Sequence, residues 1–135
     1  MAYKIVEIEG VGEAYARKLE DAGVHSTEDL LNRASTPGGR GELASSTGIS
    51  PKLILKWANH ADLFRIKGVA GQFAELLEAA GVDTVKELRH RVASNLHAKL
   101  EEVNGQKNLC NRVPSVSEIE KMIAQAKELE PRISY

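Results

Sequence analysis

The 135-residue sequence has little of what marks secreted proteins and strong nucleic-acid binders. Its single cysteine, Cys110, excludes an internal disulfide and favours a reducing, cytoplasmic location. Aromatic residues make up only 4% of the chain, so the core must consist of Leu, Ile, Val and Ala. The net charge of -1 lacks the basic excess of strong nonspecific nucleic-acid binders. Any such surface must therefore be a local patch.

Long apolar runs and catalytic motifs are also missing. The start, MAYKIVEIEG, has no apolar segment of the signal-peptide type, and no run of residues is long enough to predict a membrane span. The four histidines are scattered, with neither an HExxH motif nor a Cys–His pair at zinc spacing. The sequence therefore predicts a protein that is not an enzyme, has no catalytic residues, and binds no metal, cofactor or membrane.

What the sequence does contain is an internal repeat. Residues 8–33, IEGVGEAYARKLEDAGVHSTEDLLNR, return as residues 66–91, IKGVAGQFAELLEAAGVDTVKELRHR, at a constant offset of 58. Eleven of the 26 aligned positions are identical, and they are mostly glycines and small or aliphatic residues. The repeat therefore preserves a backbone shape and its packing face, and duplicates no catalytic side chain.

The pattern of each repeat predicts a glycine turn, a helix, a Gly-Val break and a second helix with a hydroxyl cap. Ser26, Ser50 and either Ser115 or Ser117 are predicted caps, and Gly23 and Gly48 are predicted helix ends. We predict an all-α protein of two units, residues 1–65 and 66–135. Residues 35–41, STPGGRG, are predicted to be a loop because Pro and three glycines oppose regular structure, and the second unit is predicted to carry a longer loop at 104–114.

The segment Ile8-x-Gly10-Val11-Gly12-x-x-x-Ala16 resembles the helix-hairpin-helix motif of DNA repair and recombination proteins. In that motif a glycine turn brings backbone amides at a helix N-terminus close to a nucleic-acid phosphate. The resemblance implies nonspecific contact with a nucleic-acid backbone. The predicted binding residues are Gly10, Val11, Gly12, Arg17 and Lys18, together with Gly68, Arg89 and Arg91 of the second unit.

The chain as a whole also resembles a bacterial family of uncharacterised tandem helix-hairpin-helix proteins, catalogued as a domain of unknown function. This resemblance covers residues 3–130 and rests on IEGVG, AGV, LASSTGIS, W-x-x-x-A-D-L-x-R-I-x-G-V and the closing AKEL. It implies two tandem helical units with a SAM-domain-like fold, packed as one compact body. It implies no particular activity.

Both copies depart from the helix-hairpin-helix pattern. The position that is usually basic is Ala14, beside Glu13, so Lys18 one turn later is the predicted substitute. In the second copy the second glycine is replaced by Ala70, and the residue that matches Lys18 is Leu76. We therefore predict that Leu76 is buried and that the second turn packs against the first unit or a partner.

Three alternative interpretations remain at this stage. The chain can be a protein-interaction or scaffold module whose glycine turns are purely architectural. The spacing of Ala44, Gly48 and Ile54 also fits a helix-turn-helix, which would present Lys52, Lys56 and Asn59 to a DNA groove. A small-ligand pocket lined by Trp57 is the third.

Overall fold

The computed structural model describes residues 3–135, so the first two residues of the predicted unit 1–65 lie outside it. Within this range the all-α prediction is confirmed: apart from one isolated bridge between Lys4 and Ser26, all regular structure is helical. A 3-10 helix (Ile5–Glu7) precedes eight α-helices: α1 (Gly12–Asp21), α2 (Thr27–Ala34), α3 (Pro37–Thr47), α4 (Pro51–Leu63), α5 (Gly71–Ala79), α6 (Val85–Leu88), α7 (Ala93–Lys107) and α8 (Val116–Glu128).

Most of the predicted helix boundaries are confirmed. Ser26, Ser50 and Ser115 each accept a hydrogen bond from a backbone amide in the first turn of α2, α4 and α8. Gly48 ends α3 with a φ of 74°, and Gly23 follows α1 with a φ of 90°. Short-range hydrogen bonding therefore sets these ends, as the sequence indicates.

The prediction of a loop at residues 35–41 is wrong, because α3 begins at Pro37. Thr36 accepts a hydrogen bond from the Gly39 amide at 3.1 Å, and Pro37 occupies the first helical position, where its missing N–H costs nothing. Arg40 is buried and donates to the Ala34 carbonyl at 2.9 Å. The cap, the proline and the buried arginine together outweigh the low helix propensity of three glycines.

The predicted loop at 104–114 is also too long, because α7 continues to Lys107 and ends at Asn108 with a φ of 52°. Asn104 closes the shorter loop. Its side chain accepts from the Cys110 amide and donates to the Cys110 carbonyl, both at 2.9 Å. A polar residue that looks like part of a loop is here the last-turn residue that holds the loop in place.

The core is aliphatic, as the scarcity of aromatic residues predicts, and α4 runs through its centre. Every residue from Trp57 to Phe64 is buried, so this part of α4 has no face in contact with solvent. The helix packs on α2, α3 and α5. Leu76 of α5 is completely buried, as predicted. None of the helices in residues 3–135 combines the length and apolar character that a membrane crossing needs.

Because the end of α4 is buried all round, its polar residues need partners inside the chain. His60 has no exposed surface, and its Nε2 lies 3.2 Å from Oε2 of Glu78 on α5. Despite this short distance, neither ring nitrogen of His60 meets the geometry of a hydrogen bond with any group in residues 3–135. Burial raises the pKa of Glu78, but His60 and Lys56 outweigh it and leave the pKa below its ordinary value. The sequence gives no signal for this cluster.

At the N-terminus of α8, the carboxylate of Glu118 makes the stability of the fold depend on pH in the acid range. The Glu118 carboxylate accepts two hydrogen bonds from Arg112, at 2.8 and 3.0 Å, and one from the Ser115 amide at 3.0 Å. These contacts, the Arg112 pair above all, lower the pKa of Glu118 from 4.5 to about 2. Because its pKa is lower in the folded state, the ionised Glu118 stabilises the fold at pH values above about 4.5. This contribution is lost as the pH falls from 4.5 towards 2.

We therefore expect Glu118→Gln to lower the melting temperature near neutral pH and to flatten its decline between about pH 5 and about pH 2. Glu120→Gln, an exposed position on the same helix, is the matched control. Thermal unfolding followed by circular dichroism measures both. Identical pH profiles for the two variants would contradict the assignment.

Candidate nucleic-acid interface

The first glycine turn, residues 8–12, has one buried side and one open side. Val11 donates to the Ile8 carbonyl at 3.2 Å, and both of these side chains are buried. Gly10 and Gly12 have φ of 89° and 62°, a region that favours glycine. A Cβ on Gly10 would lie 3.8 Å from the Trp57 indole nitrogen, whereas one on Gly12 would meet nothing within 4 Å. The turn therefore rests on Trp57 and faces solvent at Gly12.

The first amides of α1 have no partner in the described part of the chain. The residue before α1 is Val11, whose side chain cannot cap, and no carbonyl or side chain in residues 3–135 accepts from the amides of Gly12, Glu13 or Ala14. Hydroxyl side chains cap α2, α3, α4, α6 and α8, whereas α5 and α7, like α1, begin without a side-chain cap. An uncapped helix start exposes several N–H donors and partial positive charge.

Charged side chains of both signs surround this open start. Glu13, Arg17, Lys18 and Asp21 line one shallow exposed surface along α1, together with Ala14. Arg17 and Lys18 make no ion pair with a carboxylate in residues 3–135. The Lys18 ammonium lies 5.8 Å from the centroid of the Tyr15 ring. Two cations are thus available one turn beyond the amides, and the carboxylates of Glu13 and Asp21 oppose an anion there.

The second glycine turn, residues 66–70, contacts α8, although Lys67, Gly68 and Ala70 stay exposed. Gly68 has a φ of 93°, like Gly10, but Ala70 is extended. A Cβ on Gly68 would lie 3.3 Å from Met122 of α8, and the Lys67 amide donates to the Gln125 side chain at 3.0 Å. The predicted binding residue Gly68 therefore lies beside α8 and is itself exposed.

The start of α5 faces the acidic segment of the first repeat. A Cβ on Gly71 would come 2.7 Å from the Glu7 carbonyl oxygen and 3.2 Å from the Glu9 carboxylate. An open cleft of about 590 Å³ separates these residues from the loop around Cys110. Burial and the carboxylates of Glu75 and Glu9 raise the pKa of the Cys110 thiol, which keeps it protonated. The start of α5, not the turn itself, thus packs against the first half of the chain, and the neighbouring Glu9 carboxylate disfavours an anion there.

The two predicted arginines of the second repeat are engaged within the chain. Arg89 donates to the carbonyls of Lys127 and Leu129, at 3.0 and 3.3 Å. Arg91 donates to the Gly81 carbonyl at 3.0 Å and pairs with Glu87 at 2.9 Å.

The first repeat explains why an arginine recurs at this position. Arg33, the counterpart of Arg91, donates to the Ala22 carbonyl at 2.8 Å. Each arginine therefore satisfies a carbonyl just beyond the end of its repeat's first helix, a structural role that accounts for its duplication.

The helix-turn-helix alternative fits poorly with the observed burial. Asn59 is buried and accepts a hydrogen bond from the Tyr135 hydroxyl, and Lys56 lies 3.7 Å from Glu78. Of the three side chains that would read a groove, only Lys52 stays exposed without such a contact. Trp57 is itself almost completely buried, against Tyr15, which leaves almost none of its surface for a small ligand.

A metal site is not found in residues 3–135, where no group of three or more His, Cys, Asp or Glu side chains is arranged to hold an ion. Sequence reasoning missed the buried polar residues Arg40, His60 and Asp62, because each has partners far away in the chain. The only local signal was their occurrence within apolar helical segments.

Within residues 3–135 the chain is thus a compact all-helical protein whose first glycine turn is exposed and leads into an uncapped helix. The chain belongs to the family described as "Domain of unknown function (DUF4332)", whose model matches residues 9–129. Neither the curated proteins nor the solved structures gave a significant match.

Proposed function

We propose that this chain is a non-enzymatic binding module of the helix-hairpin-helix type, which contacts the nucleic-acid backbone without sequence preference. The contact is made by the first glycine turn only. One observation carries the proposal: the amides of Gly12, Glu13 and Ala14 are unpartnered within residues 3–135 at an exposed, uncapped helix start. Such a start is a ready anion site.

In this proposal the chain has two tandem units of SAM-like type with different roles. The first presents its turn to the ligand, and the second uses its own turn for packing. The identical glycine positions in the two repeats support a common origin for the turns. The contacts of Gly68 with Met122 and of Gly71 with Glu7 support the structural role of the second turn.

The expected mode of binding is electrostatic and weak. The turn amides donate to phosphate oxygens, and Arg17 and Lys18 neutralise neighbouring phosphates. Arg89 and Arg91 contribute only if they leave their intramolecular partners. The cations that contact phosphates are therefore about two in number, Arg17 and Lys18. The logarithm of the binding constant should then fall with the logarithm of salt concentration with a slope of about -2.

Fluorescence anisotropy with labelled single- and double-stranded DNA tests this directly. A slope of -2 corresponds to about a 15-fold loss of affinity between about 50 mM and about 200 mM salt. Lys18→Ala should weaken binding and reduce the slope by about one, whereas Glu13→Gln should strengthen binding. Lys99→Ala, which removes an exposed cation from α7, is the matched control. Absence of micromolar binding at low salt, or equal effects of Lys18→Ala and Lys99→Ala, contradicts the proposal.

The alternative of a protein-interaction or scaffold module has less support. Contiguous exposed apolar surface is typical of such modules. In residues 3–135 the large apolar side chains that are exposed are Val6, Val92 and Tyr135, which belong to three different segments. This alternative becomes the better one if the DNA titrations show no binding.

A further inference from the structure

The segment after α8, residues 129–135, lies extended across the first half of the chain, and we call it the strap. The Ser134 amide donates to the Ser35 carbonyl at 2.8 Å, and its carbonyl accepts from Arg40 at 2.7 Å. The Tyr135 hydroxyl donates to Asn59 at 3.2 Å. Arg132 pairs with Glu28 at 2.7 Å. The strap is thus bound as a peptide ligand would be, through its backbone and through individual side chains.

The surface beneath the strap, which we call the seat, is unusually polar for a buried region. Of six buried polar residues in the described chain, Arg40 and Asn59 contact the strap, and Asp62 and Thr84 line the narrow space below it. Arg40 is only 6% exposed. A buried guanidinium is costly unless its donors are satisfied. The Ser134 carbonyl supplies one of its two partners, so the seat needs a peptide in it.

The strap is joined to its own chain by a short extended connection after α8. Helix α8 ends at Glu128, Leu129 is extended, and Pro131 favours an extended conformation at Glu130. The strap is attached to the second half of the chain, whereas Ser35, Arg40 and Asn59 all belong to the first half. Arg89 of the second half also donates to the Leu129 carbonyl, so the contacts that the strap of another molecule can reproduce are those with Ser35, Arg40 and Asn59.

We propose that the seat is an exchangeable peptide site whose second occupant is the strap of another copy of this chain. Two copies then pair by placing straps in each other's seats. Within one chain the strap has an effective concentration of the order of millimolar. Exchange therefore dominates at high protein concentration, or when a chain's own strap is damaged. This proposal does not depend on nucleic-acid binding.

A complementation experiment tests the exchange with full-length chains. Ser134→Pro removes the N–H that donates to Ser35 and damages the strap, while the seat stays intact. Arg40→Met damages the seat and leaves the strap intact. Each variant alone should be monomeric by light scattering. Mixed, donor- and acceptor-labelled variants should show energy transfer and a two-chain species. A mixture that behaves as the sum of two monomers overturns the proposal.

A peptide titration keeps the test valid if Arg40→Met does not fold. A labelled peptide of residues 129–135, acetylated and amidated, is added to the Ser134→Pro chain and to the unaltered chain. We expect the Ser134→Pro chain to bind it at least about tenfold more tightly, because its own strap competes less. A peptide that itself carries the proline should bind about tenfold more weakly. Equal binding of the two peptides, or no binding, overturns the proposal.

Discussion

Replacing Gly39 by alanine is expected to lower the free energy of unfolding by about 3 kcal/mol. The added Cβ would overlap the carbonyl oxygen of Arg33, at the end of α2, and would also press on the Thr36 hydroxyl that caps α3. The obstacle is backbone, so no side-chain rotation relieves it. The helices α2 and α3 must separate or the first turn of α3 must unwind.

The same helix provides the control. Gly41 is exposed, and a Cβ there would meet nothing within 4 Å. Gly41→Ala should therefore stabilise the chain by about 0.5–1 kcal/mol, because alanine loses less backbone entropy in a helix. Urea denaturation of the two variants measures the opposite signs. Gly39→Ala with a midpoint at or above that of Gly41→Ala would show that the α2–α3 contact is not close.

This pair of glycines also shows what the sequence could and could not predict about the fold. The helix starts at Ser26, Ser50 and Ser115 follow from hydrogen bonds within three residues, so the sequence predicts them. Residues 35–41 contain equally local signals, a threonine cap followed by proline, but their glycines suggested a loop. The reason for glycine at position 39 is contact with a neighbouring helix, which composition does not reveal.

The candidate site was predictable to a similar extent. The positive φ of Gly10 and of Gly68 follows from the glycine turn itself, and the burial of Leu76 follows from its apolar character at a position that is basic in the first repeat. Whether each turn is open depends on distant residues. Met122 and Gln125, far along the chain, contact the second turn, and no pattern near Gly68 indicates them.

The largest loss from a single buried polar group is expected for Asp62→Ala, at about 3–5 kcal/mol. Asp62 is 1% exposed and accepts from Arg65 at 2.7 Å and from the Val85 amide at 2.8 Å. Alanine leaves a guanidinium without its anion and an amide without an acceptor. Since α6 is only four residues long, it depends on tertiary contacts, and the Val85 bond is the one that attaches its start to α4.

A double-mutant cycle separates these two effects. Arg65→Met removes the cation, so Asp62→Ala combined with Arg65→Met should cost less than the sum of the two single changes, because no buried charge is left unpaired. Asp62→Asn keeps an acceptor for the Val85 amide and should cost less than Asp62→Ala. Asp21→Ala, at an exposed position, is the control. Urea midpoints measure all of them, and hydrogen exchange at Val85 reports the α6 contact. An Asp62→Ala variant within about 1 kcal/mol of the original chain would mean that α6 is held by its apolar side chains alone.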